Sequence, residues 1–215
     1  MTNQQTDKMK AISLFSGMGG DTLGFEQANV DVVAYSELRP TFRKTHEANF
    51  PDSKVIGENV NSDITKITDE EFKTYENQIQ FLFAGFPCQS FSSGGLRKVN
   101  DPRNTLFTEF VRAARIIKPD VIIGENVKGL LQRKTANGEE YMDIIKSEFN
   151  KIGYDIYHKV YMCSKLDINV PQNRERLIIV GIRSDLNQQF TFPEENKEKS
   201  GNLKNIIKFT MEGTL

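Results

Sequence analysis

The sequence has few cysteines, no long apolar run and almost no net charge, and each shortage excludes a class of protein. The two cysteines among 215 residues, Cys88 and Cys163, match neither a disulfide framework nor metal-ligand spacing, and they suit a reducing cytoplasm. No stretch approaches the roughly 20 apolar residues of a membrane span, and the polar N-terminus predicts no signal peptide. Lys and Arg number 28 and Asp and Glu number 29, which argues against a uniformly basic nucleic-acid binder.

Short apolar runs alternate with amphipathic ones, the pattern of a parallel sheet covered by helices. The apolar runs predict strands over 11–15, 30–35, 79–84 and 121–123. The amphipathic runs predict helices over 21–28, 41–49, 69–75, 105–117 and 140–151. Two later strand-like runs, 154–163 and 176–182, favour a closing antiparallel pair at the sheet edge. We therefore predict a Rossmann-like α/β fold.

The domain prediction follows from a change in composition near the C-terminus. Residues 192–201 are charged and lack a helix or strand pattern. We expect residues 1–190 to form one domain, and 191–215 to be a linker or the start of another domain.

A glycine-rich turn, Phe15-Ser16-Gly17-Met18-Gly19-Gly20, joins the first predicted strand to the first helix. Glycines there let the backbone bend sharply and a ligand approach it closely. Glu37 lies at the end of the second strand, the spacing at which Rossmann-type folds place a carboxylate against ribose hydroxyls. The turn lacks the GxGxxG pattern and a P-loop lysine, so a nucleoside cofactor is indicated without a pyrophosphate. An unliganded turn with an exposed Glu37 is the alternative.

A second loop, Gly85-Phe86-Pro87-Cys88-Gln89-Ser90, follows the predicted strand 79–84. Ligands in open α/β sheets bind beyond the carboxyl ends of the strands, so we expect Cys88 to face that crevice. Pro87 makes the turn rigid, and residues 92–95 suit a lid. A lone cysteine is more commonly a small buried hydrophobe, and this setting argues against that interpretation.

Seven sequence blocks, in order over residues 12–182, resemble the bacterial C5-cytosine DNA methyltransferase family. They are LFSGMGG at 14–20, YSE at 35–37, SDI at 62–64, GFPCQS at 85–90, DPRNTLF at 101–107, ENV at 125–127 and PQNRER at 171–176. Any one block is weak evidence of relationship, but the ordered set is hard to obtain by chance. The resemblance implies an S-adenosylmethionine-dependent methyltransferase fold and methylation of cytosine C5 in double-stranded DNA, on a base flipped out of the duplex.

The resemblance also implies roles for four catalytic residues. Cys88 is then the nucleophile that adds to cytosine C6, and Glu125 shares a proton at N3. Arg176 steers the base through its O2 oxygen, and Arg174 contacts phosphate or the nucleophile loop. Considered alone, Glu125 is a strand-end carboxylate, and the two arginines form an ordinary ion-paired strand start.

The remaining implied site residues fall into two groups, and no metal ligand is expected. Those expected at the cofactor are Phe15, Ser16, Gly17, Met18, Gly20, Glu37, Leu38, Asp63, Ile64, Gly85, Pro87 and Leu106. Those expected at the nucleic acid are Gln89, Ser90, Ser92, Arg97, Arg103 and Gln172. Asp63 by itself is more often a turn or cap residue.

The near-neutral total charge conceals a basic segment. Residues 88–134 contain nine Lys or Arg and four Asp or Glu, whereas the rest of the chain contains 19 and 25. Contacts to phosphates require such a local excess of positive charge, so we predict that this segment faces DNA. The alternative is a solvated helix face on which Arg112 and Arg115 are simply exposed.

The sequence departs from the family pattern at positions next to the first two blocks. Ser13 stands where an acid is common and Asp21 where phenylalanine is common. Leu38 stands where an aromatic residue is common and Arg39 where an acid is common. These departures bear on cofactor affinity more than on the fold.

A larger departure is that the family's target-recognition domain and its last two motifs do not follow the PQNRER block at 171–176. Three interpretations fit: a catalytic-domain fragment, a subunit whose partner chain carries the recognition domain, or a non-catalytic nucleic-acid or cofactor binder. Methylation of tRNA cytosine on the same fold is a further alternative. We expect a bacterial or phage-encoded cytoplasmic protein.

Overall fold

The computed structural model describes residues 8–87, 106–135, 137–166 and 172–195. They form a seven-stranded sheet in the order β3-β2-β1-β4-β5-β7-β6. The strands are β1 Met9–Leu14, β2 Val30–Ser36, β3 Lys54–Val55, β4 Phe81–Ala84, β5 Val121–Val127, β6 Tyr154–Met162 and β7 Glu175–Arg183. The α-helices are α1 Gly20–Gln27, α2 Pro40–Asn49, α3 Asp69–Lys73, α4 Leu106–Ile117 and α5 Tyr141–Lys151.

The strand directions confirm the predicted α/β architecture. Strands β3, β2, β1, β4 and β5 pair in parallel, while β7 pairs antiparallel with both β5 and β6. β5 continues four residues beyond the predicted end at 123, because β7 supplies hydrogen-bond partners as far as the Val127–Arg176 pair. The sequence does not show that extension, because the polar residues Glu125 and Asn126 interrupt the apolar run that predicts the strand.

The core lies on both faces of the parallel strands. Ala11, Val30 and Val32 form a small buried cluster on one face. Ile12, Leu82 and Ile122, paired in register on three adjacent strands, are fully buried on the other face, as expected when helices cover both faces. Helix α4 packs on them through a stripe at helical spacing, formed by Phe110, Ala113, Ala114 and Ile117. The amphipathic pattern of residues 105–117 therefore correctly predicted a helix that covers the sheet with its apolar face.

Arg112 joins two helices through ion pairs and hydrogen bonds, a role that neither sequence interpretation predicted. Its guanidinium forms ion pairs with Asp69 at 2.6 Å and Glu109 at 2.6 Å, and donates to the carbonyls of Ile64 and Ile67. Its side chain is only 20% exposed, so it is neither a solvated charge nor a free cation facing DNA. These contacts fasten α4 to α3 and to the segment before it.

The described residues on both sides of the predicted domain boundary at 190 pack along β6. Phe190 lies against Tyr157 and Phe192 against Tyr161, each with ring centroids 6.0 Å apart. The Tyr161 hydroxyl donates to the carbonyl of Pro193 at 2.6 Å. The domain boundary at 190 stays a prediction.

The described residues include neither a membrane-spanning helix nor a cluster of metal ligands. None of the helices they form is long and apolar enough to cross a membrane. Their side chains also contain no group of three or more His, Cys, Asp or Glu that could hold a metal ion.

Two glycines provide a test of the packing around the sheet. A Cβ on Gly181 in β7 would lie 2.5 Å from Ile122 Cγ1 and 2.7 Å from Ile156 Cδ1, whereas no described atom lies within 4 Å of one on Gly24 in α1. Gly181→Ala should therefore lower the free energy of unfolding by about 1–3 kcal/mol. Gly24→Ala should leave it unchanged or raise it by up to about 1 kcal/mol. Urea denaturation measures both, and an unaffected Gly181→Ala protein would contradict this packing.

Candidate functional site

The candidate site lies where the carboxyl ends of the parallel strands meet, with Gly85 near its centre. A Cβ built on Gly85, directly after β4, would lie 4.0 Å from the carbonyl oxygen of Phe15 and 4.0 Å from Oε2 of Glu125. The loop after β1, the loop after β4 and the carboxylate on β5 therefore converge there. This is the edge at which open α/β sheets bind ligands.

The glycine loop has a tightly curled backbone. Phe15, Gly17 and Gly19 have φ angles of 58°, 59° and 92°, in the left-handed region that favours glycine. The Ser16 N–H donates to the Ser36 carbonyl, and the Gly19 N–H donates back to the Ser16 carbonyl, both at 3.0 Å. The Ser16 hydroxyl is buried and has no hydrogen-bond partner among the described residues. A buried hydroxyl without a partner is costly, and a ligand in the loop would provide one.

Glu37 is buried and joins three loops. Its carboxylate accepts the Gly17 N–H at 2.9 Å and the Arg39 N–H at 2.8 Å, while its own N–H donates to the Ser62 hydroxyl at 3.1 Å. The residue is 8% exposed, so the alternative of an exposed Glu37 is wrong. Each carboxylate oxygen has a second lone pair, so the group can still accept hydrogen bonds from a ligand.

Two large apolar side chains beside this network face solvent. Met18 is 57% exposed and Leu38 is 56% exposed, one in the glycine loop and one directly after Glu37. Nearby, the Arg43 guanidinium donates to the carbonyls of Glu37 and Asn61, which fixes the loop after β3 against the end of β2.

The residues of the block at 62–64 make contacts that stabilise the turn and the core around them. Oδ1 of Asp63 accepts from the N–H and the hydroxyl of Thr65, at 3.2 and 2.7 Å, and Lys66 pairs with its other oxygen. Ile64 is buried in the core, and the half-buried Leu106 packs against that core. The predicted cofactor roles of Asp63, Ile64 and Leu106 remain predictions.

Glu125 and Arg176 form an ion pair across the sheet. Oε1 of Glu125 lies 2.6 Å from Nε of Arg176. Burial raises the pKa of the Glu125 carboxyl above its ordinary value, although the positive charge of Arg174 opposes that shift. A carboxyl with a raised pKa beside a fixed cation is suited to holding or sharing a proton.

Asn126 is a structural contributor that the sequence reasoning did not single out. Its buried amide donates to the Phe86 carbonyl at 3.1 Å, and its amide oxygen accepts the Val127 N–H at 2.9 Å. It thereby fixes the backbone immediately before Pro87. The ENV block contained this residue, but only the pairing of strands shows what it contacts.

Of the other predicted site residues, the structure describes some and leaves six undescribed. Gln172 and Arg174 are exposed just before β7, and the Arg174 N–H donates to the Gln172 carbonyl. Six predicted residues lie outside the described residues: Cys88, Gln89, Ser90, Ser92, Arg97 and Arg103.

The two departures that flank the first block, Ser13 and Asp21, contact one another. The Ser13 hydroxyl donates a hydrogen bond to the Asp21 carboxylate. Burial raises the pKa of Asp21, while the Ser13 hydrogen bond acts in the opposite direction. The carboxylate on α1 thus reaches back to the end of β1.

His46 on α2 also escaped the sequence reasoning. It is fully buried, lies 2.9 Å from the Thr22 hydroxyl through Nε2, and stacks on Tyr35 with ring centroids 3.7 Å apart. Burial lowers its pKa to about 4, so the imidazole is neutral at physiological pH. The spacing of Phe42 and His46 in α2 and of Phe50 at its C-terminal cap signals a shared helix face, but not what that face contacts.

Fold and site together define a Rossmann-like protein of the methyltransferase type, and the comparisons with known proteins give its family. The model for C-5 cytosine-specific DNA methylases matches residues 9–213. The chain is 41% identical over 193 residues to the Type II methyltransferase M.FnuDI of Fusobacterium nucleatum, covering 89% of this chain and 52% of the relative. The protein belongs to the C-5 cytosine-specific DNA methylase family.

Further similarities agree with that assignment. The Type II methyltransferase M.SsoII of Shigella sonnei is 37% identical over 203 residues, which cover 92% of this chain and 50% of the relative. The fold is shared with a crystal structure of a Spodoptera frugiperda DNMT2 mutant, with a TM-score of 0.73 and 20% identity over 94% of this chain and 60% of that one. The chain spans about half the length of the curated relatives it matches.

The buried imidazole predicts a specific pH dependence of stability. Because its pKa falls from 6.5 to about 4 on folding, the unfolded chain binds more protons between these pH values. The free energy of unfolding should fall as the pH drops through this window, by up to roughly 3 kcal/mol from His46 alone.

The measurement is urea denaturation of the wild type and His46→Phe at pH 7.0, 5.5 and 4.5. The raised pKa values of Asp21 and Glu125 affect both proteins equally, so the difference between them isolates His46. Identical pH dependence in the two proteins would show that His46 is not a buried neutral group.

Proposed function

We propose that the protein transfers a methyl group from S-adenosylmethionine to C5 of cytosine in double-stranded DNA, with Cys88 as covalent nucleophile. The observation that carries this proposal is the convergence at Gly85 of the glycine loop and the Glu125 carboxylate, three residues before Cys88 in the chain. A methyl donor in the loop and a base held by Glu125 would then be neighbours. Family membership and the named Type II relatives support the same chemistry.

The residues of the glycine loop fit a nucleoside cofactor with an amino-acid tail. Ser16 offers a buried hydroxyl that lacks a partner among the described residues. Gly17 leaves the space beside its Cα open, with no described atom within 4 Å of a Cβ. Glu37 keeps lone pairs for ribose hydroxyls, and Met18 and Leu38 supply exposed apolar surface. When bound, S-adenosylmethionine supplies a methyl group on a positively charged sulfur.

Cytosine C5 is a poor nucleophile, and the proposed residues overcome this by covalent catalysis. The Cys88 thiolate adds to C6, and Glu125 holds a proton at N3, where electron density accumulates. Arg176 holds Glu125 in place and orients the base through O2. After C5 takes the methyl group, a water molecule accepts the C5 proton, β-elimination breaks the sulfur–C6 bond, N3 returns its proton to Glu125, and Cys88 leaves as a thiolate.

The proposal extends to the DNA and to a partner. The target base must leave the duplex to reach a site of this kind. Sequence selectivity requires contacts to base edges, and we propose that a target-recognition part, carried either by a further C-terminal portion or by a second chain, provides them. A role in restriction–modification in the cytoplasm agrees with the Type II names of the relatives.

The two cysteines give a matched test of the nucleophile. DNA duplexes of randomised sequence that carry 5-fluorocytosine should form a denaturant-resistant adduct with the wild type in the presence of S-adenosylmethionine. Cys88→Ser should abolish the adduct, because a hydroxyl is a far weaker nucleophile than a thiolate. Cys163→Ser, at the only other cysteine, should retain it.

The assay is run with the chain alone and with the C-terminal half of M.FnuDI added. Trapping that survives Cys88→Ser would contradict the assigned nucleophile. Absence of any DNA adduct with the wild type in both settings would contradict the proposed function, and trapping of fluorinated RNA alone would favour RNA as substrate.

Glu125 should act on the methyl-transfer step and not on cofactor binding. Glu125→Gln cannot give a proton to N3 as a carboxylic acid does, so methyl transfer should slow by roughly 10²–10⁴-fold. The affinity for S-adenosylhomocysteine, measured by calorimetry, should stay within about twofold, since the neutral amide keeps the shape of the carboxyl group.

The control is Glu175→Gln, which removes the nearby half-buried carboxylate that pairs with Lys128 at 2.8 Å. It should retain wild-type methyl transfer. Equal rates for Glu125→Gln and the wild type would remove Glu125 from the proposed mechanism.

A further inference from the structure

The glycine loop rests on a group of buried side chains, here called the loop support: Thr22, Tyr35, His46 and Phe50. A Cβ on Gly19 would lie 2.4 and 2.8 Å from two ring atoms of Phe50 and 2.9 Å from Cδ2 of His46. The loop backbone is therefore seated directly on two rings that belong to α2 and its C-terminal cap. Only glycine permits this approach, and its φ of 92° also requires it.

The imidazole does more than fill space beneath the loop. Nε2 of His46 and Oγ1 of Thr22 are 2.9 Å apart, and both residues are buried, at 0% and 1% exposed. Thr22 lies in the first turn of α1, which begins at Gly20. This hydrogen bond therefore fastens α2 to the segment that leaves the glycine loop.

The other contacts of His46 fix where its ring lies. It stacks on Tyr35 of β2, whose hydroxyl donates to Glu47 at 3.2 Å, and it lies 5.1 Å from the Phe50 ring. Nδ1 is buried without a hydrogen-bond partner among the described residues. A buried ring nitrogen without a partner lowers stability, and an apolar ring would avoid that cost. The hydrogen bond to Thr22 is therefore the contact that explains a histidine at this position.

We propose that His46 is a positioning residue, which holds the glycine loop in the shape that binds the cofactor through its Thr22 hydrogen bond and its contact with Gly19. This inference rests on the proposed function, because it takes the loop to be the S-adenosylmethionine site. Small displacements of groups that position a ligand reduce binding and rate strongly, even when the displaced group touches no reacting atom.

The test combines two variants that remove the hydrogen bond while keeping the shape of the residues. His46→Phe retains a ring on Tyr35 and beneath Gly19, and Thr22→Val retains the volume of threonine. Each single variant should weaken binding of S-adenosylhomocysteine, measured by calorimetry, about tenfold, the factor expected for one ordinary hydrogen bond. The affinity of the double variant should lie within about twofold of that of the single variant that binds more weakly. The two losses should not add, because each substitution removes the same hydrogen bond.

The control is Ile145→Val, a buried change on α5, which packs against β6, the edge strand four places from β1 in the sheet. It tests whether general destabilisation is enough to weaken binding, so thermal unfolding is recorded for every variant. Its affinity should equal that of the wild type even where its melting temperature falls as much as that of Thr22→Val.

Three results would overturn the inference: wild-type affinity in a folded Thr22→Val protein, independent and additive losses in the double variant, or an equal loss of affinity in Ile145→Val. Thr22→Val keeps the test decisive if His46→Phe does not fold. A wild-type protein that binds no cofactor would overturn the proposed function itself, whereas wild-type binding with unaffected variants would overturn only the role of His46.

Discussion

The arrangement of the site depends on the hydrogen bonds made by Glu37. It accepts N–H groups from the loop after β1 and from the turn after β2, and its own N–H donates to Ser62 in the loop after β3. One buried residue thus fixes three neighbouring loops relative to one another. A buried carboxylate is tolerated because hydrogen bonds from N–H groups stabilise its charge, and breaking one of them would leave a costly buried charge.

The antiparallel end of the sheet supplies the other half of the site. Because β7 runs opposite to β5, its first residues lie at the carboxyl ends of the parallel strands, in register with the last residues of β5. Arg176 reaches Glu125 for this reason, and a parallel strand would present its end there instead. Asn126, next along β5, anchors the Phe86 carbonyl and links this half to the loop that carries Pro87.

Sequence reasoning predicted the parallel architecture, the closing antiparallel pair and the helices, because apolar periodicity reports which residues are buried. It also brought the glycine loop, Glu37, Glu125 and Arg176 to one site. It did not reveal that Arg112 joins α3 and α4, since a charged residue on a helix has the same pattern whether it is solvated or ion-paired. It missed His46 and Asn126, because their partners, Thr22 and Phe86, are 24 and 40 residues away in the chain.

The sequence by itself determined the class of protein: the order of the five described α-helices and of all the described strands except the two-residue β3, the ordered blocks of the family, and the chemistry that a cysteine, a carboxylate and a glycine loop can perform. Only the tertiary structure decided which groups are in contact. It showed that the exposed alternative for Glu37 is wrong, that Ser13 and Asp21 form a pair, and that Gly19 rests on His46 and Phe50. The physical reason is that burial and hydrogen-bond partners are set by packing between distant segments, which local sequence patterns do not encode.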